Sequence, residues 1–147
     1  MTIPILKSNA ELLNWKSQQE TPVHFVPTMG ALHQGHFELI RTACKVHRNQ
    51  HPKVLVSIFV NPLQFGPKED FDRYPRDLKN DISFATNAGA SAIWAPSAND
   101  IFPNDHNPSR GVKASSSLTT SLCGLKRKNH FNGDVAVMEK LLTLLKP

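Results

Sequence analysis

Pro22-Val23-His24-Phe25-Val26-Pro27-Thr28-Met29-Gly30-Ala31-Leu32-His33-Gln34-Gly35-His36, residues 22–36, passes from an apolar run through two glycines into a pair of histidines. Pro22 to Val26 reads as a short buried strand that ends at Pro27. Beyond it, Gly30 and Gly35 bracket a turn, and Phe37, Leu39, Ile40, Ala43, Cys44 and Val46 continue at helical spacing. A strand-to-helix junction of this kind offers unpaired backbone N–H groups and the positive end of a helix dipole, which together suit an anion. Gly30 permits a tight turn and a close approach to a ligand, and Gly35 leaves the helix surface flat enough for a ring to lie against. His33 and His36 are three apart and project from one face of the first turn, where imidazoles can donate to phosphate oxygens. Two plainer readings compete: histidines merely solvated at a helix end, or half of a metal site, for which no third ligand stands at useful spacing. No Lys-Ser/Thr pair follows the glycines, so the segment is not a P-loop. Nucleotide binding is the reading the junction favours.

Working outward, Val54-Leu55-Val56-Ser57-Ile58-Phe59-Val60 is an unbroken β-branched and apolar run, as a central parallel strand covered on both faces requires. Asn61-Pro62 ends it, and a turn-rich stretch runs on through Pro75. Asp77 is placed to cap a helix that reaches about Ala88 and closes at Gly89, after which Ala92-Ile93-Trp94-Ala95 reads as a third short strand ending at Pro96. Towards the N-terminus, Ser8-Asn9-Ala10-Glu11 has capping-box spacing before Leu12, Leu13 and Trp15, predicting a first helix to about Ser17. The order strand–turn–helix, repeated, predicts an α/β fold with a right-handed, doubly wound parallel sheet. Ligands in such sheets sit beyond the carboxyl ends of the strands, where the unusual residues here cluster. Asn99 to Ser117 is rich in Pro, Asn, Asp and Ser and reads as surface loop. A last amphipathic helix is expected from Asn132 or Gly133 to Leu145, with Val135, Met138, Leu141, Leu142 and Leu145 on its apolar side.

Bulk properties bound the function. The 147 residues suffice for one ordinary domain, and 39% hydrophobic with 20% charged residues is a globular composition. The formal charge of +5 suits a polyanion, nucleic acid or a phosphate-rich small molecule alike. There is no arginine-rich tail and no interleaving of aromatics with lysines, which argues against nucleic acid. Cys44 and Cys123 match no disulfide framework and no zinc spacing, so they read as reduced thiols of a cytoplasmic protein. No secretory leader and no membrane-length apolar run is evident, and no membrane partner is expected.

The string Pro27 to His36 resembles the adenylate-forming superfamily marked by a His-x-Gly-His element, which includes class I aminoacyl-tRNA synthetases and small nucleotidyltransferases. At full length it is similar, almost residue for residue, to the pantothenate synthetases, the pantoate–β-alanine ligases. Ser57-Ile58-Phe59-Val60-Asn61-Pro62-Leu63-Gln64-Phe65-Gly66-Pro67-Lys68-Glu69-Asp70 with Tyr74-Pro75-Arg76 resembles the pantoate-binding region of the same family. In physical terms Asn61 and Gln64 can read a small hydroxy acid through paired donors and acceptors, and Phe65 can wall the pocket. A third block, Arg127-Lys128-Asn129-His130-Phe131-Asn132-Gly133, resembles the family's Arg-Pro-Gly-His-Phe-x-Gly segment. It departs from that pattern at Lys128 and Asn129, and at Asp134, where an apolar residue is the rule.

The resemblance implies a Rossmann-like, nucleotide-binding domain of the His-x-Gly-His superfamily over residues 1–147, with the family's C-terminal domain absent. It implies that ATP activates pantoate as an adenylate, that β-alanine then displaces AMP, and that magnesium accompanies the triphosphate. It assigns Met29, Gly30, His33, Gly35, His36, Arg127 and His130 to ATP, with His36 the catalytic group. Asn61, Gln64, Phe65 and Tyr74 go to pantoate. A homodimer is implied as well. Two further readings stay open: a module that holds nucleotide or pantoate without turnover, and an adenylyltransferase with another acceptor.

Overall fold

The computed structural model describes residues 2–61, 76–102, 138–139 and 141–146. The chain divides into two compact units, the first made of Met1–Phe59, Pro75–Ser97 and Pro147, the second of Val60–Tyr74 and Ala98–Lys146.

The first unit is a four-stranded, all-parallel sheet, and the expected α/β, Rossmann-like class is what forms. Its strands are β1 (Ile5–Leu6), β2 (Val23–Thr28), β3 (Lys53–Ile58) and β4 (Ala92–Trp94), in the order β1-β4-β3-β2. Between them run α1 (Asn9–Ser17), α2 (Gln34–Lys45), a short 3₁₀ turn at Arg48–Gln50, and α3 (Leu78–Ala88). The central β3 is buried at Val54, Leu55, Val56 and Ser57, so both of its faces are covered, as its unbroken apolar run requires. Side chains alternate along the strands. Val54, Val56 and Ile58 therefore join Val26 and Ile93 in one cluster with Ile40, Ala85, Ala88 and Ala90. Phe37 of α2 meets Phe84 of α3 edge-on, with centroids 5.6 Å apart, and ties the two helices together over this face. Alanines at 85 and 88 have no bulk to keep α3 off the strands. Full burial of a Val or Ile in such a layer contributes about 1.5–3 kcal/mol.

The predicted helix ends hold. Ser8 Oγ accepts from Glu11 N at 3.1 Å, and Asp77 Oδ1 accepts from Asn80 N at 3.1 Å. Gly89 closes α3 at φ +113°. Two features differ from the reading of the sequence. Strand β1 has no signal of its own, because two residues carry no period. It is defined by its partner, with Ile5 opposite Ile93 and Leu6 opposite Trp94. Strand β2 also passes through Pro27 to Thr28 rather than ending there. Pro22 O accepts from Lys53 N and Thr28 O from Phe59 N, so the even-numbered residues turn their polar groups towards β3. The nitrogen of Pro27 faces away from that ladder, and no hydrogen bond is lost.

In the second unit, α4 (Ala98–Ile101) is followed by Phe102, and residues 138–139 and 141–145 are helical. Ile101, Phe102, Leu141 and Leu145 are buried, the last two in accord with the apolar side expected of the final helix, whereas Leu142, expected on that side too, is 44% exposed. The start of that helix lies outside the described residues. Among the described residues, no helix is long and apolar enough to cross a membrane.

Candidate functional site

The turn between β2 and α2 is built on two consecutive left-handed residues, Gly30 at φ +80° and Ala31 at φ +49°. For alanine that conformation costs roughly 1–2 kcal/mol, so neighbouring groups must hold it. Thr28, at the end of β2, donates from Oγ1 to Ser57 O at 2.8 Å and accepts from Gly30 N at 3.2 Å. Asp81, in the first turn of α3, accepts from Ala31 N through Oδ2 at 3.0 Å and from Leu32 N through Oδ1 at 2.9 Å. The glycine at 30 is needed twice over. Its φ is one that L side chains rarely adopt, and a Cβ there would stand 3.0 Å from Asp81 Oδ2 and 3.1 Å from Ile58 Cγ2.

His33 is the N-cap of α2. Its Nδ1 accepts from Gly35 N at 3.0 Å, and its own N–H donates to His36 Nδ1 at 3.1 Å. The two rings stack at a 47° tilt with centroids 4.2 Å apart. A Cβ on Gly35 would lie 2.9 Å from His33 Cε1, so the flat surface read at this glycine is the one the His33 ring uses. Each Nδ1 is an acceptor, which puts the proton of each neutral imidazole on Nε2. Partial burial holds the His36 pKa below its ordinary value, and the nearby His33 pushes the same way; Asp81 opposes both.

The expectation of unpaired amides is met only in part. Those of Gly30, Ala31, Leu32, His33 and Gly35 all have acceptors inside the protein. Helix geometry leaves the amide of Gln34, in the first turn, without an intrahelical acceptor, whereas that of His36 is met by the His33 side chain in a capping box. An anion arriving here is therefore met mainly by imidazole Nε2–H groups and the end of the helix dipole.

The turn thus brings together Met29, Gly30, His33, Gly35 and His36. Met29 is half-buried at its start, while His33 and Gly35 are exposed. Asn61, in the second unit, is fully buried. Gln64, Phe65, Tyr74, Arg127 and His130 lie outside the described residues. Among the described residues, no group of three or more His, Cys, Asp or Glu side chains is arranged to hold a metal ion. The reading of the sequence passes over Asp81 and Thr28. Asp81 had a signal: it falls on the helical stripe of Ala85 and Ala88, where a carboxylate is buried only with partners.

The family model described as pantoate-beta-alanine ligase matches residues 4–147. A bifunctional pantoate ligase/cytidylate kinase of Prochlorococcus marinus (strain MIT 9313) is 51% identical over 133 residues, 90% of this chain and 26% of that protein. Its counterpart in a second strain of the same organism is 46% identical over 149 residues, covering 100% of this chain and 29% of that one. Among solved structures, pantothenate synthetase from Thermus thermophilus superposes with a TM-score of 0.83 at 38% identity, over 99% of this chain and 50% of that chain. A pantoate-beta-alanine ligase from Francisella tularensis, complexed with beta-gamma ATP and beta-alanine, does so at 0.85 and 33% identity, over 99% and 54%. The chain thus spans about half of the solved structures it matches and under a third of these two curated relatives.

Proposed function

The chain belongs to the pantoate–beta-alanine ligase family, and from that premise we propose that it holds ATP and pantoate in an enzyme that makes pantothenate. In the first half-reaction a carboxylate oxygen of pantoate attacks the α-phosphorus of ATP, and pyrophosphate leaves. In the second, the amine of β-alanine attacks the acyl carbon of the adenylate, and AMP leaves. No protein nucleophile takes part. Catalysis comes from placing the reactants and from stabilising charge on the phosphoryl oxygens.

One observation carries the reading: His33 and His36, at the start of α2, each spend Nδ1 on a backbone amide of their own turn. Their Nε2–H groups are the donors then offered to phosphate. His36, held neutral near pH 7 by its lowered pKa, donates to the α-phosphate without adding a proton to it. Met29 N–H, Gly30 and Gly35 complete the turn, and Arg127 and His130 contact the outer phosphates. Asn61, Gln64, Phe65 and Tyr74 form the pantoate pocket. Magnesium arrives as part of the substrate, on the triphosphate oxygens, which are the hard ligands it prefers. Family resemblance further supports a homodimer working in the cytoplasm.

Pyrophosphate release, measured with ATP, magnesium and pantoate in the presence and absence of β-alanine, tests the proposal. Release that depends on pantoate supports it. ATP binding without turnover would select the binding module instead, and turnover only with another acid would select a different adenylyltransferase.

A further inference from the structure

Asp81 is 2% exposed, on a helix stripe that otherwise carries Ala85 and Ala88 into the core. A carboxylate is costly to bury unless its oxygens are satisfied. Here both oxygens accept from backbone amides, and both amides belong to the left-handed turn before His33. The first turn of α3 adds the favourable end of its dipole. The contact is close, since a Cβ at Gly30 would stand 3.0 Å from Oδ2. Just downstream stand His33, which caps α2, and His36, whose pKa Asp81 lifts against the effect of burial. The carboxylate thus lies behind the turn, bonded to its backbone.

We infer that Asp81 is a positioning residue for nucleotide binding: its buried carboxylate, acting through the amides of Ala31 and Leu32, fixes the turn that presents His33 and His36 to the phosphates. The inference rests on reading residues 27–36 as the ATP-binding turn.

Asp81→Asn tests it with little change in volume, because the new NH₂ faces one of the two amides and cannot accept from it. Three measurements apply to the 147-residue chain. In the wild type, through-hydrogen-bond couplings from the amides of Ala31 and Leu32 to the Asp81 carboxyl carbon are expected, and this needs no variant. In Asp81→Asn, the His36 titration midpoint followed by NMR is expected to fall further below its ordinary value. ATP affinity, measured by calorimetry with magnesium at a temperature where both proteins are folded, is expected to drop about tenfold, in keeping with the loss of a charge-assisted bond. A merely structural brace would lower the melting temperature and leave the affinity of the folded protein alone. Absent couplings, or an unmoved His36 midpoint with unchanged ATP affinity, would overturn the inference while the ATP-binding reading stands. A wild-type chain that shows the couplings but binds no ATP would overturn the reading of the turn, and this inference with it.

Discussion

His33 and His36 cap α2 jointly: the amide of His33 donates to His36 Nδ1 at 3.1 Å, while His33 Nδ1 accepts from Gly35 N at 3.0 Å. Both bonds require a bare Nδ1, so the arrangement is built for neutral rings, and protonation at Nδ1 breaks it. That links the site to pH.

The His36 pKa is lowered in the folded chain, by burial first and by His33 second, with Asp81 opposing. Above the ordinary histidine value both folded and unfolded chains carry the ring neutral, and its full contribution to stability is present. As pH falls below that value, the unfolded chain takes up the proton more readily. Stability is then lost until the folded ring protonates in turn. The urea midpoint is expected to fall between about pH 7.5 and about pH 5.5, and to fall less steeply in His36→Ala. Equal slopes in the two proteins would show that His36 is not the linked group.

Gly35→Ala separates binding from folding. Alanine is favoured over glycine inside a helix by roughly 0.5–1 kcal/mol, which works in favour of the variant. Its methyl group, however, would stand 2.9 Å from His33 Cε1, and the exposed ring must swing away, giving up its bond to the amide of residue 35. Urea melts are expected to show stability within about 1 kcal/mol of the wild type. ATP affinity is expected to fall about tenfold, equivalent to about 1.4 kcal/mol. Unchanged affinity would mean that the resting position of the His33 ring has no part in binding.

Much of this was legible in the residues because the signals are local. Ser8 and Asp77 announce helix starts through their own side chains, Gly89 ends a helix because only glycine is at ease at φ +113°, and the run from Val54 marks a strand buried on both faces. The pair His33 and His36 was visible from spacing alone. What escaped was set by partners distant in sequence. Ile5–Leu6 becomes a strand only against β4. Pro27 stays within β2 because its nitrogen turns away from β3, a matter of register. Asp81 acquires its role from amides 49 and 50 residues earlier. A helix stripe with one acid on it hints at such a role, but does not say which turn the acid holds.

Gly89→Ala probes the packing of α3 on α2. The φ of +113° is one that L side chains rarely adopt, and a Cβ there would meet Cys44 Sγ at 2.8 Å. The two penalties together are expected to destabilise the fold by about 2–4 kcal/mol. Adding Cys44→Ala removes the clash but not the backbone strain. The double variant is therefore expected to recover part of the loss, with a coupling of about 1 kcal/mol between the two positions in urea melts. Strict additivity would show that the thiol is no obstacle and that backbone strain is the whole cost.

His36→Ala bears most directly on the chemistry. The variant gives up one hydrogen bond, from the amide of His33, at a half-buried position, which limits the stability cost to about 1 kcal/mol. The same change removes the Nε2–H donor that the proposed function assigns to the α-phosphate, and deleting one donor that meets developing charge slows reactions by roughly 10²–10³-fold. Pantoate-dependent pyrophosphate release is thus expected to fall by about that factor, while the melting temperature moves by only a few degrees. Because His33 also loses an acceptor for its amide, the reciprocal variant is the needed control. His33→Ala leaves the His36 ring in place and is expected to weaken ATP binding more than it slows turnover at saturating ATP. If His36→Ala turns over at the wild-type rate, the α-phosphate is stabilised by some other group and the role given to His36 fails.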